Sequence, residues 1–221
     1  MKPLNAAIAE RSHYSRRHAS ELIKHGRVWV NGQLAHIGDR VSLDAKIQID
    51  GEALTSQPLL YVALNKPVGY ECSKQPQGKN PSVYNLLPAE YHNLNYAGRL
   101  DVDSRGLVIF TNDGQWLQEL THPSYAIKRV YDIKLNKPLS SEHKKLICEG
   151  VELEDGISRL ELTGHDMNWQ ASLKEGRKRQ VRRTFKELGY IVTDLKRIRH
   201  GKVLLDDLKE GAYALIPDKQ R

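Results

Sequence analysis

The chain has 221 residues, 39% of them hydrophobic, with 34 lysines and arginines against 27 aspartates and glutamates. That is enough apolar material for one sizeable domain and a small one, which argues against global disorder. No apolar run approaches the ~20 residues of a membrane span. The N-terminus lacks an apolar signal region, and the only cysteines, Cys72 and Cys148, have no His or Cys companions at metal-ligand spacing. A cytoplasmic chain with two free thiols and no metal is expected. The net charge of +7 is uneven: residues 1–40 carry +4, 41–169 carry −4, 170–202 carry +8 and 203–221 carry −1. Two separated basic stretches predict a polyanionic partner touched at two patches.

At the N-terminus, Ser15 is a candidate N-cap for a helix running to His25 and closed by Gly26. Ala19, Leu22 and Ile23 mark its apolar face, and Arg16, Arg17 and Lys24 lie off it. A hairpin follows, Val28–Val30 turning at Asn31-Gly32 into Gln33-Leu34-Ala35. Ile47 and Ile49 alternate as a further strand closed by Asp50-Gly51. Ser-Arg-Arg, then Ala, Leu-Ile and Gly-x-Val-x-Val-Asn-Gly resemble the small RNA-binding domain named after ribosomal protein S-four. The resemblance implies that Arg16, Arg17, Lys24 and Arg27 face RNA phosphates. It sets a first domain at residues 1–51. Residues 52–60, with small and polar side chains and a proline, read as a linker, and 61–221 as the second domain.

Tyr61–Leu64 reads as a strand ending in the turn Asn65-Lys66-Pro67-Val68-Gly69-Tyr70. Residues 71–81 are polar and rich in turn formers, an exposed loop that serves as a lid or an RNA contact. The central stretch is Ala97-Gly98-Arg99-Leu100-Asp101-Val102-Asp103-Ser104-Arg105-Gly106-Leu107-Val108-Ile109-Phe110-Thr111-Asn112-Asp113-Gly114. Leu107–Phe110 is a continuous apolar run, expected as a strand buried on both faces. Taken alone, Asp101 reads first as a turn-forming or helix-capping aspartate. Gln115–Leu120 reads as a short helix, and Lys128–Leu135 alternates as a strand with Tyr131, Ile133 and Leu135 on one face. Out of context, Tyr131 is a core residue. Val151–Asp166 is strand-like and acidic. Val181, Phe185 and Leu188 form one helical stripe ended by Gly189, and Lys178, Arg179, Arg182, Arg183 and Lys186 occupy the other faces.

Gly-Arg-Leu-Asp with Ser-x-Gly-Leu and Thr-Asn-Asp-Gly closely resembles the active-site motif of RsuA-type RNA pseudouridine synthases. Asn-Lys-Pro-x-Gly is similar to that family's first motif, whose role there is mainly structural, and Glu-Gly-Arg-x-Arg-Gln-Val-Arg-Arg to its third. The resemblance implies an α+β fold with a central, mostly antiparallel sheet flanked by helices and a cleft across one face. It implies catalysis by Asp101, with Tyr131 against the target base and Arg182 paired with Asp101. Arg129, beside Lys128, stands where the family commonly has Lys, and Thr184 where many relatives have Met.

Lys66 is a candidate phosphate contact, and Lys178, Arg179 and Arg183 extend the RNA-binding surface. Arg99, long and two residues from Asp101, is a candidate to fill the gap left by a flipped base. The implied reaction is isomerisation of a uridine, in ribosomal RNA first and transfer RNA second, by a monomer with no cofactor, metal or membrane. The alternative is a non-catalytic RNA-binding or ribosome-assembly factor on the same fold.

Overall fold

The apolar run Leu107–Phe110 lies in a seven-residue strand, Arg105–Thr111, and all four side chains are fully buried. Alternation sends Val108 and Phe110 to one face and Leu107 and Ile109 to the other, and each face meets its own hydrophobic cluster. The computed structural model describes residues 1–12, 14–55 and 58–221. The chain divides into two units, Met1–Leu59 with Asn112–Gly114, and Leu60–Thr111 with Gln115–Arg221.

The small unit begins with helix α1 (Leu4–Arg11), which has no capping side chain, followed by helix α2 (Arg16–Lys24). The Ser15 side chain accepts from the His18 amide at 3.1 Å, so α2 starts as expected. Leu4, Ala7 and Ile8 of α1 pack with Ala19, Leu22 and Ile23 of α2 over Val28, Ile47 and Ile49. A four-stranded sheet runs in the order Gln33–Leu34, Val28–Val30, Ile47–Ile49, Glu52–Ala53. The last strand corrects the expected linker: Glu52 and Ala53 pair with Ile49 and Gln48, and Leu54 packs on the core. Asp50-Gly51 closes a hairpin here, both residues with positive φ, so the sheet outlasts the turn. Ser56 and Gln57, within the expected linker, lie outside the described residues.

The large unit is built on a nine-stranded sheet. Its main path runs Glu161–His165, Asn168–Leu173, Arg129–Leu135, Val192–His200, Arg105–Thr111, Tyr61–Lys66 and Tyr213–Leu215. Neighbours are antiparallel except Val192–His200 beside Arg105–Thr111, a parallel pair joined through Lys196 to Arg105 and Arg197 to Gly106. That approach requires a glycine at 106. Its φ is +106°, and a Cβ there would lie 2.3 Å from the Arg197 carbonyl oxygen.

Helix α3 (Gly114–Thr121) covers one face with Trp116, Leu117 and Leu120. Helices α4 (Ser141–Glu149) and α5 (Gln180–Glu187) cover the other with Ile147, Val181 and Phe185. Removing Phe185 from water contributes about 2 kcal/mol. The stretch expected as one strand-like segment, 151–166, is instead a separate two-stranded hairpin (Val151–Leu153, Gly156–Ser158) followed by the edge strand Glu161–His165. Among the described residues, no helix is long and apolar enough to cross a membrane.

Candidate active site

The loop carrying Asp101 hangs between the strands Asn95–Ala97 and Arg105–Thr111. Gly98 opens it in the left-handed region, at φ +70°. Its backbone is held from below. The Lys66 ammonium, with no exposed surface, donates to the carbonyls of Ser104 at 2.6 Å, Pro67 at 3.0 Å and Asp101 at 3.1 Å. Gly69 N–H donates to Val102 at 2.8 Å, and the buried Leu100 N–H to Cys72 Sγ at 3.4 Å. Desolvation lowers the Lys66 pKa from the ordinary lysine value. Lys66 is therefore a support for the Asp101 loop, and the expected phosphate contact is corrected: three carbonyls already satisfy its three protons.

Asp101, Tyr131 and Arg99 line one cavity of about 560 Å³, together with Arg129, Lys178, Arg179 and Arg197. Tyr131 projects from Arg129–Leu135, 9% exposed, with Arg197 as its partner across the strands. The carboxylate of Asp101 is about one-third exposed, and its ion pair is with Arg179, Nη1 to Oδ2 at 3.7 Å. Arg99 is exposed at the cavity wall, and Lys178 is exposed beside it.

The expected Arg182–Asp101 pair is not formed. Arg182 reaches Asp103, with Nε 3.4 Å from Oδ2 and Nη2 donating to the Asp103 carbonyl at 2.7 Å. Nη1 donates to Val192 O at 2.6 Å and Nη2 also to Ser104 Oγ at 3.3 Å, so the side chain lies along the base of the loop, outside the cavity lining. Arg179 grips the same Asp103 with two bonds of 2.9 and 2.7 Å. Those bonds from Arg179 hold the Asp103 carboxyl below the usual carboxylate range. Asp103 is the residue that reading for a single catalytic aspartate passed over. Its signal was present: a second carboxylate two residues on, facing a helix with arginines three apart.

Arg179 sits in the left-handed backbone region. It precedes α5 at φ +51°, a region non-glycine residues seldom enter, and no side chain caps the helix. Arg183, expected on the RNA surface, is turned away. It clasps Asp155 at 3.0 and 2.7 Å, beside Arg177, which bonds Asp155, Gly156 O and Ile157 O. Arg183 ties α5, and Arg177 the segment ahead of it, to the 151–158 hairpin. Thr184, buried, donates to Ser158 Oγ or accepts from it at 2.8 Å.

In the small unit, Arg16, Arg17 and Lys24 are exposed on α2. Arg27, expected to face RNA phosphates with them, is exposed too, but its guanidinium is engaged by Asp50 at 2.8 and 2.5 Å.

The site is thus a charged cavity beside a mostly antiparallel sheet, with an aspartate on a clamped loop and a tyrosine on the adjoining wall, the arrangement that the resemblance of the motifs implied. The model of the RNA pseudouridylate synthase family matches residues 60–187, and that of the S4 domain residues 3–55. The chain is 34% identical to ribosomal large subunit pseudouridine synthase B of Vibrio cholerae, over 98% of this chain and 72% of that one. It is 33% identical to ribosomal small subunit pseudouridine synthase A of Vibrio parahaemolyticus, over 93% and 92%. A solved structure described as a pseudouridylate synthase superposes with a TM-score of 0.72 at 32% identity, covering 100% of this chain and 98% of that one. The chain belongs to the RNA pseudouridine synthase family; it is an isomerase with an N-terminal S4 RNA-binding domain.

Proposed function

We propose that this enzyme converts one specific uridine of ribosomal RNA to pseudouridine, acting in the cytoplasm as a monomer without metal or small-molecule cofactor. The observation that carries the reading is the placement of Asp101 and Tyr131 on one cationic cavity large enough for a nucleotide. The RNA presents its uridine out of the stack, since the reacting atoms are otherwise covered. The bond from uracil N1 to ribose C1′ breaks, the base turns, and C5 bonds to C1′. The proton on C5 leaves and N1 gains one, so the reaction is a redox-neutral isomerisation.

Asp101 acts on the base or the sugar, as nucleophile or electrostatic stabiliser. Arg179 pairs with it across 3.7 Å, and Arg182 acts through Asp103 and the loop backbone. Tyr131 packs on the uracil and assists loss of the C5 proton, and Arg99 fills the space the base vacates. Arg16, Arg17 and Lys24 bind flanking phosphates. The catalytic domain is assigned to residues 61–221.

The test is tritium release from RNA labelled at uridine C5, isolated from a strain lacking the protein and offered free and as precursor particles. Release by the wild type supports the reading. No release from either form of RNA, despite salt-sensitive binding, would overturn it.

A further inference from the structure

Two buried arginines on the floor of the cleft have no counter-ion among the described residues. Arg197 is 1% exposed and Arg129 is 8% exposed, and both border the cavity shared with Asp101 and Tyr131. Their acceptors are neutral: Arg197 Nε donates to Leu107 O at 2.7 Å, and Arg129 Nη2 to Leu120 O at 3.0 Å. Arg197 Nη2 is buried with no hydrogen-bond partner among the described residues. The partly buried arginines elsewhere in this unit are treated differently: Arg105 has Asp194 and Glu210, Arg177 has Asp155 and Glu175, and Arg179 and Arg182 share Asp103. Taking a guanidinium out of water without a carboxylate is strongly unfavourable. Here two such groups lie close enough to repel, Arg197 adding to the desolvation that lowers the Arg129 pKa. A fold retains such a pair where an anion completes it.

We propose that Arg197 and Arg129 form an anion subsite for the phosphodiester of the nucleotide being isomerised. This rests on the reading of the cleft as the site of uridine isomerisation. The topology puts the subsite where that phosphate must be. Arg197 registers against Tyr131 on one side and against Gly106, in the strand that follows the Asp101 loop, on the other. It therefore lies between the strands that supply the two catalytic groups. A ribose whose C1′ sits between Asp101 and Tyr131 carries its phosphates only a few bonds away. A planar fork of donors suits phosphate oxygens, and the low dielectric strengthens the pairing.

The first test is direct. Full-length protein labelled with ¹⁵N-arginine is titrated with inorganic phosphate, with chloride matching the ionic strength, and with uridine as the neutral control; Arg197→Lys and Arg129→Lys assign the signals. Saturable shifts of both Nε–H signals with phosphate alone are expected. Shifts with uridine alone, or none with phosphate, would overturn the subsite.

The second test is kinetic. Arg197→Gln should raise KM for tritium release about 10-fold and reduce the slope of log KM against log salt by about 0.7, the contribution of one phosphate contact on a single strand. Arg197→Lys should recover part of the loss. A fall in kcat with KM and salt slope unchanged would overturn the proposal. Wild-type protein that releases no tritium would remove the isomerisation reading instead, and the phosphate titration would still decide the subsite.

Discussion

A lysine with no exposed surface must find acceptors for its ammonium, and Lys66 finds two in the loop it supports, Asp101 O and Ser104 O, and a third in the adjoining Pro67 O. Lys66→Met would leave three carbonyls facing an apolar methyl. The expected cost is about 3 kcal/mol, the penalty of orphaned buried polar groups, read as a lower urea midpoint with activity lost in step. A surface phosphate contact would instead change RNA affinity and leave the midpoint alone. His200 makes a second prediction. It is fully buried, and desolvation holds its imidazole well below the ordinary value. The unfolded chain titrates near ~6.5, so on acidification the unfolded state takes up the proton first. The stability tied to neutral His200 is complete above about pH 6.5 and is lost as the pH falls below it. Urea midpoints measured from pH 8 to pH 5 should decline in that lower range, and His200→Gln should flatten the decline.

The same scale shows what the sequence could and could not carry. The shared place of Asp101 and Tyr131 on one cavity was legible because motif spacing ties them to fixed places on a loop and a strand. The partner of Arg182 was not, because Asp101 and Asp103 are two residues apart and only side-chain reach decides between them. Lys66 was misread because lysine is a surface residue by type, and its burial follows from a loop folding over it.

Between elements, the decisive contact is the parallel pair that sets Arg197 beside Gly106. Gly106→Ala should cost about 3 kcal/mol or prevent folding, because its Cβ would meet backbone and not a side chain able to move. Gly98→Ala would make only ordinary contacts, 3.5 Å from His200 at the nearest, and should cost about 1 kcal/mol for its left-handed φ. Thermal or urea unfolding of the two variants checks the contrast. The doubly buried strand was readable from four consecutive apolar residues. Helix α1 was not, since it has no capping side chain and no acidic first turn to mark its start. The hairpin at 151–158 was merged with its neighbour because its strands are three residues long, below the length at which alternation is visible.

Across the molecule, charge is arranged in two stretches, but not every cation in them is free for RNA. Arg27, Arg177 and Arg183 are spent on internal carboxylates, whereas Arg16, Arg17, Lys24 and Lys178 are exposed without one among the described residues. Arg16→Glu with Arg17→Glu in the full chain should weaken RNA binding about 10-fold or more at 50 mM salt and flatten the salt dependence, with kcat at saturating RNA unchanged. Arg183→Ala should leave affinity within about 2-fold and lower stability through the loss of its clasp on Asp155.

The central claim is that Asp101 performs the chemistry on its clamped loop. It is tested most directly by tritium release from uridine-C5-labelled RNA with wild type and Asp101→Asn side by side, after matched unfolding curves. Release by the wild type and none by the variant, with RNA affinity retained, is the predicted result. Equal release by both proteins would contradict it and move the reacting group elsewhere in the cleft.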